Sequence, residues 1–415
     1  MLVFENAVYY TAEGFRKGTV TVSDGKVFLS PAVSVTEDEI DGKVILPGLA
    51  DAHVHLREPG FFYKESIATG SESGARAGYT ALFAMPNLNP VPDSLSHLRE
   101  EQDAISRTAK TGVYPYAALT VGERGEELSA IEELAPHVIG FSDDGRGVQS
   151  EALMREAMLR VKACGKVIAA HCEVNDLLRG GYIHDGAYAR THGHKGICSE
   201  SEWKMVERDV ALAEETGVSY HVCHVSAKES VEIIRRAKAR GVDVTCETAP
   251  HYLLLTEDDL EEDGRFKMNP PIRTAEDRAA LVEGLADGTV DMVATDHAPH
   301  SDEEKSRGLA GSLMGVIGLE FAFPVLYTGL VATGRISLHR LVEAMSAAPL
   351  ARFGLPGGDI RDGAPADLAV FDLSREWTVR GRDSASKGSS TPFEGMKVRS
   401  KNTMTILNGE IIWKE

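Results

Sequence analysis

Two histidines, His53 and His55, close the apolar run Val44-Ile45-Leu46-Pro47-Gly48-Leu49-Ala50-Asp51-Ala52. Side chains at i and i+2 of a strand share a face, so both imidazoles converge, and imidazole is the commonest protein ligand for metals. A His-x-His pair alone is weak, because two solvated or core histidines give the same pattern. Further donors then follow at the ends of later apolar runs: Asp143-Asp144, His171, His224 and Asp296. Taken singly, His171 reads better as a buried, hydrogen-bonded histidine, Asp144 as a turn residue before Gly145, and Asp296 as a cap for the loop His297-Ala298-Pro299. Their joint occurrence at five strand ends points to a metal centre. Nitrogen and oxygen donors of this kind suit Zn2+, with Mn2+ or Co2+ as substitutes. Alternation further predicts that Cys172 and Cys223 turn away from the metal, and that His221 lies on the opposite face and deeper. A second His-x-His, at His192 and His194, lacks an apolar strand and is not counted among the ligands.

Such a site needs strands that end together. Strands are expected over Val44–Leu56, Thr80–Met85, Val113–Leu119, Val138–Asp144, Val167–Cys172, Val218–Val225, Val242–Thr248 and Asp291–Asp296. Segments with helical periodicity, such as Asp93–Ala109, Glu151–Ala163, Glu202–Glu215 and Ala227–Arg240, lie between them. Eight strands alternating with helices predict an α/β fold of the (β/α)8 TIM-barrel type, whose sites form at the carboxyl ends of the strands. The barrel is placed at residues 46–358, with the Gly- and His-rich stretch Asn175–Ser201 as an excursion over its mouth. Residues 1–45 and 359–415 read as short strands, with a hairpin signal at Asn408-Gly409. They are expected to pair into one small β-sandwich domain.

At 415 residues, 43% hydrophobic and 26% charged, the chain suits a large globular protein. No apolar run reaches membrane-spanning length and no signal-peptide plan is visible, which makes the cytoplasm the default. Five cysteines with no C-x-x-C read as reduced thiols. A net charge of -19 argues against nucleic-acid or anionic-membrane binding, so an anionic substrate must be held by local cations.

The stretches PGLADAHVHLREPG, AMPNLNP, FSDDGRGVQS, AAHCE, YHVCHVSAKES, FKMNPPIR, ATDHAPH and KGSSTPFEG, in this order, resemble the amidohydrolase superfamily, and within it the bacterial class I dihydroorotases, over nearly the whole chain. The resemblance implies that His53, His55 and Asp296 ligate one zinc, that His171 and His224 ligate a second, and that Asp144 bridges the two. Many two-metal relatives bridge with a carbamylated lysine at the end of strand four. No lysine lies between Lys110 and Lys162 here, and the class I dihydroorotases are similar in using an aspartate.

Arg57, two residues beyond His55, is aimed by alternation at the same mouth, where its guanidinium can hold a carboxylate bidentately. By resemblance His55, Asn87, Asn269, His300 and the backbone at Met314-Gly315 complete the substrate set, although the family more often carries an aromatic residue at position 314. Turn chemistry beside proline is the plainer reading of Asn87 and Asn269. The reaction implied is the reversible cyclisation of N-carbamoyl-L-aspartate to dihydroorotate in pyrimidine formation, with Asp296 moving the proton. The resemblance also implies a homodimer and, as in some relatives, docking on aspartate transcarbamoylase. The alternatives are another cyclic amidohydrolase (hydantoinase, dihydropyrimidinase or allantoinase) and a weakly catalytic barrel that serves as a scaffold.

Overall fold

A computed structural model describes residues 1–415 as a mixed α/β protein. The chain enters through β1 (Leu2–Thr11), β2 (Gly14–Ser23), β3 (Lys26–Leu29), β4 (Val33–Val35) and β5 (Lys43–Pro47). Short strands separated by helices follow: β6 (Leu49–Val54), β7 (Tyr79–Ala84), β8 (Gly112–Pro115), β9 (Ala117–Ala118), β10 (Phe141–Ser142) and β11 (Val167–Ala170). After β12 (Ile183–His184) and β13 (Gly196–Ile197) come β14 (Ser219–Val222), β15 (Val244–Thr248) and β16 (Met292–Val293). The C-terminal segment supplies β17 (Leu368–Thr378), β18 (Lys397–Leu407) and β19 (Glu410–Lys414).

Parallel pairing runs β6-β7-β8 in one sheet and β9-β10-β11-β14-β15-β16 in another. Tyr116 N donates to Ala84 O (2.9 Å) where β8 passes into β9. Just beyond β16, His297 pairs in parallel with Val54 and accepts from His55 N at 2.8 Å. The intervening helices are set by local chemistry. Ser150 caps Glu151–Ala163 by accepting from Leu153 N, Thr274 and Asp277 form a capping box on Ala275–Asp287, and Gly217 ends Glu200–Thr216 in the left-handed conformation.

The two ends of the chain share one sheet, in the order β19-β18-β17-β5-β1-β2-β3 with β4 paired to β2. Asn408 (φ 52°) and Gly409 (φ 82°) make the turn between β18 and β19, as two consecutive positive φ values require. The strand expected over Val44–Leu56 is two strands. β5 pairs antiparallel with β17 in the terminal sheet, and β6 pairs with β7. Gly48 is the joint: its N–H bonds Asp367 O (2.8 Å), and a Cβ there would lie 2.2 Å from Thr80 Oγ1. Val44, Ile45 and Leu46 are fully buried, each worth about 1.5–3 kcal/mol, so the joint holds the first site strand firmly against the terminal sheet. The excursion over Asn175–Ser201 has its own order: β12 and β13 pair in parallel around the helix Ala187–His192.

Candidate active site and metal centre

Asp144, just past β10, lies at the middle of the site. Its Oδ1 is 3.4 Å from His53 Nε2, 3.6 Å from His224 Nε2 and 3.9 Å from His171 Nδ1, and its Oδ2 is 3.5 Å from His55 Nε2. Asp296 Oδ1 approaches His55 Nε2 at 3.2 Å and His53 Nε2 at 3.6 Å. All six side chains are buried. His53 Nε2 and Asp144 Oδ1 have no hydrogen-bond partner, and the facing nitrogens of His171 and His224 stand 3.0 Å apart. Buried polar atoms without partners are costly. Four imidazoles and two carboxylates that converge and leave His53 Nε2 and Asp144 Oδ1 unpartnered are a donor set a divalent cation would complete, so the residues fit a metal.

Backbone geometry brings these groups together. His224 (φ 35°), Asp296 (φ 47°) and Arg57 (φ 59°) occupy the left-handed region, which costs non-glycine residues of order 1–3 kcal/mol and clusters at functional sites. The pairing of β6 with β7 also shifts register between Asp51 and Val54. These departures overturn part of the alternation argument. Cys223 does not turn away from the site, whereas His221 does lie deeper, outside the donor cluster. Cys223 packs within a ligand's reach of His53 and Glu247, and His221 Nε2 lies 3.1 Å from Glu247. The positive φ at His224 turns the chain, so that Cys223 and His224 both face inward. Cys172 does turn outward, to Tyr220.

Glu247, on β15, escaped the sequence reading. Its Oε1 accepts from His53 Nδ1 (2.9 Å) and its Oε2 pairs with His221. This fixes the His53 tautomer so that Nε2 faces Asp144. Burial opposes its charge, yet hydrogen bonds from the two histidines hold its pKa at about 2. An acidic residue inside the expected strand Val242–Thr248 was the available signal. Burial likewise works against the charges of Asp144 and Asp296, but His53 and His224 keep Asp144, and His55 and His53 keep Asp296, below the usual carboxylate range. Asp143 faces the other way and binds Leu119 N (2.8 Å) and Thr120 N (2.9 Å).

A cavity of about 280 Å³ opens over this cluster. Arg57, Asn87, Asn269, His300, Met314 and Gly315 all line it, as does Arg146, which the sequence reading passed over. Arg57 makes one side-chain hydrogen bond, Nε to Pro299 O at 3.4 Å, which leaves its terminal nitrogens free. His300 has both nitrogens occupied, Nε2 by Met314 O (2.7 Å) and Nδ1 by Lys64 Nζ (3.2 Å). Burial and the nearby Arg57 and Lys64 charges push its pKa down to about 3, so it is neutral. Asn87 Nδ2 donates to Asp144 O (2.7 Å) and Glu123 Oε1 (3.2 Å). The tail motif supports the floor: Ser386 Oγ bonds Glu65, and Gly388 packs on Pro299 and Ile317.

Residues 42–230 match the family model described as Dihydro-orotase-like. The chain is 47% identical over 395 residues to a dihydroorotase of Geobacillus kaustophilus (strain HTA426), covering 94% of this chain and 92% of that protein. The chain belongs to the dihydroorotase family. Another dihydroorotase, from Bacillus thuringiensis (strain Al Hakam), is 44% identical and covers all of this chain and 98% of its own length. Among solved structures, the L-hydantoinase (dihydropyrimidinase) from Arthrobacter aurescens superposes with a TM-score of 0.87 at 27% identity, covering 99% of this chain and 96% of that one. This chain therefore shares its fold with that hydantoinase. No helix of this chain is long and apolar enough to cross a membrane.

Proposed function

We propose that this chain interconverts dihydroorotate and N-carbamoyl-L-aspartate at the cavity over Asp144. The observation that carries the reading is the free guanidinium of Arg57 in the same cavity as the Asp144-centred cluster, in a chain that belongs to the dihydroorotase family. In a protein of net charge -19, a half-buried cation beside the site carboxylates is a specific device for holding a substrate carboxylate. His53, His55 and Asp296 would hold one metal and His171 and His224 a second, with Asp144 between them. Zinc, two per chain, suits these donors. When bound, the metal acidifies water and polarises the scissile carbonyl.

The chain's own residues do the rest. Arg57 pairs with the substrate carboxylate and fixes the ring over Asp296. Water adds to the ring amide carbon, Asp296 takes its proton, and the C–N bond breaks as Asp296 returns that proton to the departing nitrogen. Ring closure is the same path reversed. Burial and the charges of Arg57 and Lys64 keep His300 neutral, and its bond to Met314 O ties down the Met314-Gly315 backbone that is presented to the ring.

The pairing from β6 round to His297 supports closure of the parallel strands into an eight-stranded barrel over residues 46–358. The small β domain expected from residues 1–45 and 359–415 then lies beside it, built on the one eight-stranded sheet that the two ends share, whose β5 runs two residues further, to Pro47. Turnover of dihydroorotate, hydantoin and allantoin, measured beside metal content, tests the assignment. Preference for hydantoin or allantoin would replace it with the hydantoinase-type reading that the fold likeness allows.

A further inference from the structure

Glu173 follows His171 by two positions and is buried. Its Oε2 lies 3.3 Å from His171 Nε2, and its two oxygens lie 3.1 and 3.2 Å from Asn269 Nδ2. One carboxylate thus touches both a metal-site histidine and a residue of the substrate cavity. A carboxylate offers only acceptors. Turning the Asn269 amide over would set its oxygen against those oxygens, so the contact dictates the orientation. The consequence falls on the far side of the amide: Asn269 Oδ1 is buried and has no partner. A buried acceptor without a donor costs about 1–3 kcal/mol, so the cavity is prepared for a ligand N–H at this point.

We propose that Glu173 is a positioning residue that fixes Asn269 with its oxygen toward the substrate, making the site select cyclic ureides that carry a ring N–H there. The same contact turns His171 so that Nδ1 faces His224. The inference rests on the dihydroorotase reading and adds the polarity of one subsite to it. It also accounts for a feature that reading leaves unexplained, the unpartnered oxygen of Asn269.

Exchanging the two groups tests it. In E173Q/N269D the glutamine oxygen accepts from His171 and its amide nitrogen donates to the new carboxylate at position 269, which again presents an oxygen to the substrate. Metal content and steady-state turnover of dihydroorotate are measured for the wild type, E173Q, N269D and the double variant. E173Q frees the Asn269 amide to turn and should raise KM about tenfold, the loss of one hydrogen bond, with kcat changed less than KM. N269D sets two carboxylates together and should be worse than E173Q. The double variant should return KM to within about threefold of wild type.

A double variant no better than N269D, at full metal content, overturns the proposal, since the exchange restores both the contact and the oxygen facing the substrate. If the double variant loses its metal, a cycle of E173Q, N269A and E173Q/N269A decides. Effects on KM that add overturn the proposal, and a double variant no worse than N269A sustains it. Wild-type protein that fails to turn over dihydroorotate would instead overturn the functional reading itself.

Discussion

Replacing Glu247 by glutamine should weaken the fold and the metal site together, by amounts the structure sets. The carboxylate is fully buried between His53 and His221, and its pKa is held at about 2 against an ordinary 4.5. That difference corresponds to roughly 3 kcal/mol of stabilisation of the charged form in the folded state. Because the folded pKa is the depressed one, this stability is fully present above pH 4.5 and is lost as pH falls toward 2. Glutamine accepts from one histidine and turns a donor toward the other, so E247Q loses the charge and one of two ring contacts. Urea titration of chelator-treated protein should find E247Q about 3 kcal/mol less stable near pH 7, with the gap narrowing once pH drops below about 4.5. In the metal-loaded protein the variant frees the His53 tautomer, and competition with a chelator should show metal affinity reduced about 10- to 100-fold. An E247Q protein with wild-type metal affinity and wild-type stability at neutral pH would refute the role given to this carboxylate.

Asp296→Asn should leave the fold intact and remove nearly all turnover, because proton-transfer groups are worth ~10²–10⁴-fold; more than about a tenth of wild-type kcat would sink the role. Arg57→Met should weaken dihydroorotate binding by roughly 10- to 150-fold, the loss of a ~1.5–3 kcal/mol charge-assisted bond, while an analogue without the carboxylate is affected little; equal losses for both compounds would remove Arg57 from the clamp. Asp144 needs no modification to be anionic, so apo-protein should regain activity with zinc alone in CO2-depleted buffer. Asp144→Ala should lower the metal count, and a strict bicarbonate requirement or an unchanged count would move the bridge elsewhere.

The convergence of His53, His55, Asp144, His171, His224 and Asp296 was legible because each ends an apolar run, and ends of parallel strands are brought side by side by the fold. The terminal sheet was legible from paired short strands and from Asn408-Gly409. Glu247 and the inward turn of Cys223 were not, because a period-two reading assumes extended backbone and His224 departs from it at φ 35°. Gly48 hid the break between β5 and β6, since its reason for being glycine is Thr80, a neighbour distant in sequence. His300 lines the cavity, and only coordinates reveal that Met314 O and Lys64 are the partners of its two nitrogens.

The pairing of β5 with β17 bears on how this chain is made. β5 leads directly into the strand that carries His53 and His55, yet its antiparallel partner begins at Leu368, more than 300 residues later. The other lateral contact of the His53 strand, to His297, is also hundreds of residues downstream. At about 5–20 residues per second on the ribosome, β5, paired to β1, and β6, paired to β7, each wait for tens of seconds with one edge still open. The first site strand can therefore pair early with β7 on one side, while its other edge closes only when Val54 meets His297. The cluster of His53, His55 and Asp296 is complete only once the chain beyond β16 has been made, so zinc supplied to a shorter nascent chain should arrive before its final coordination exists.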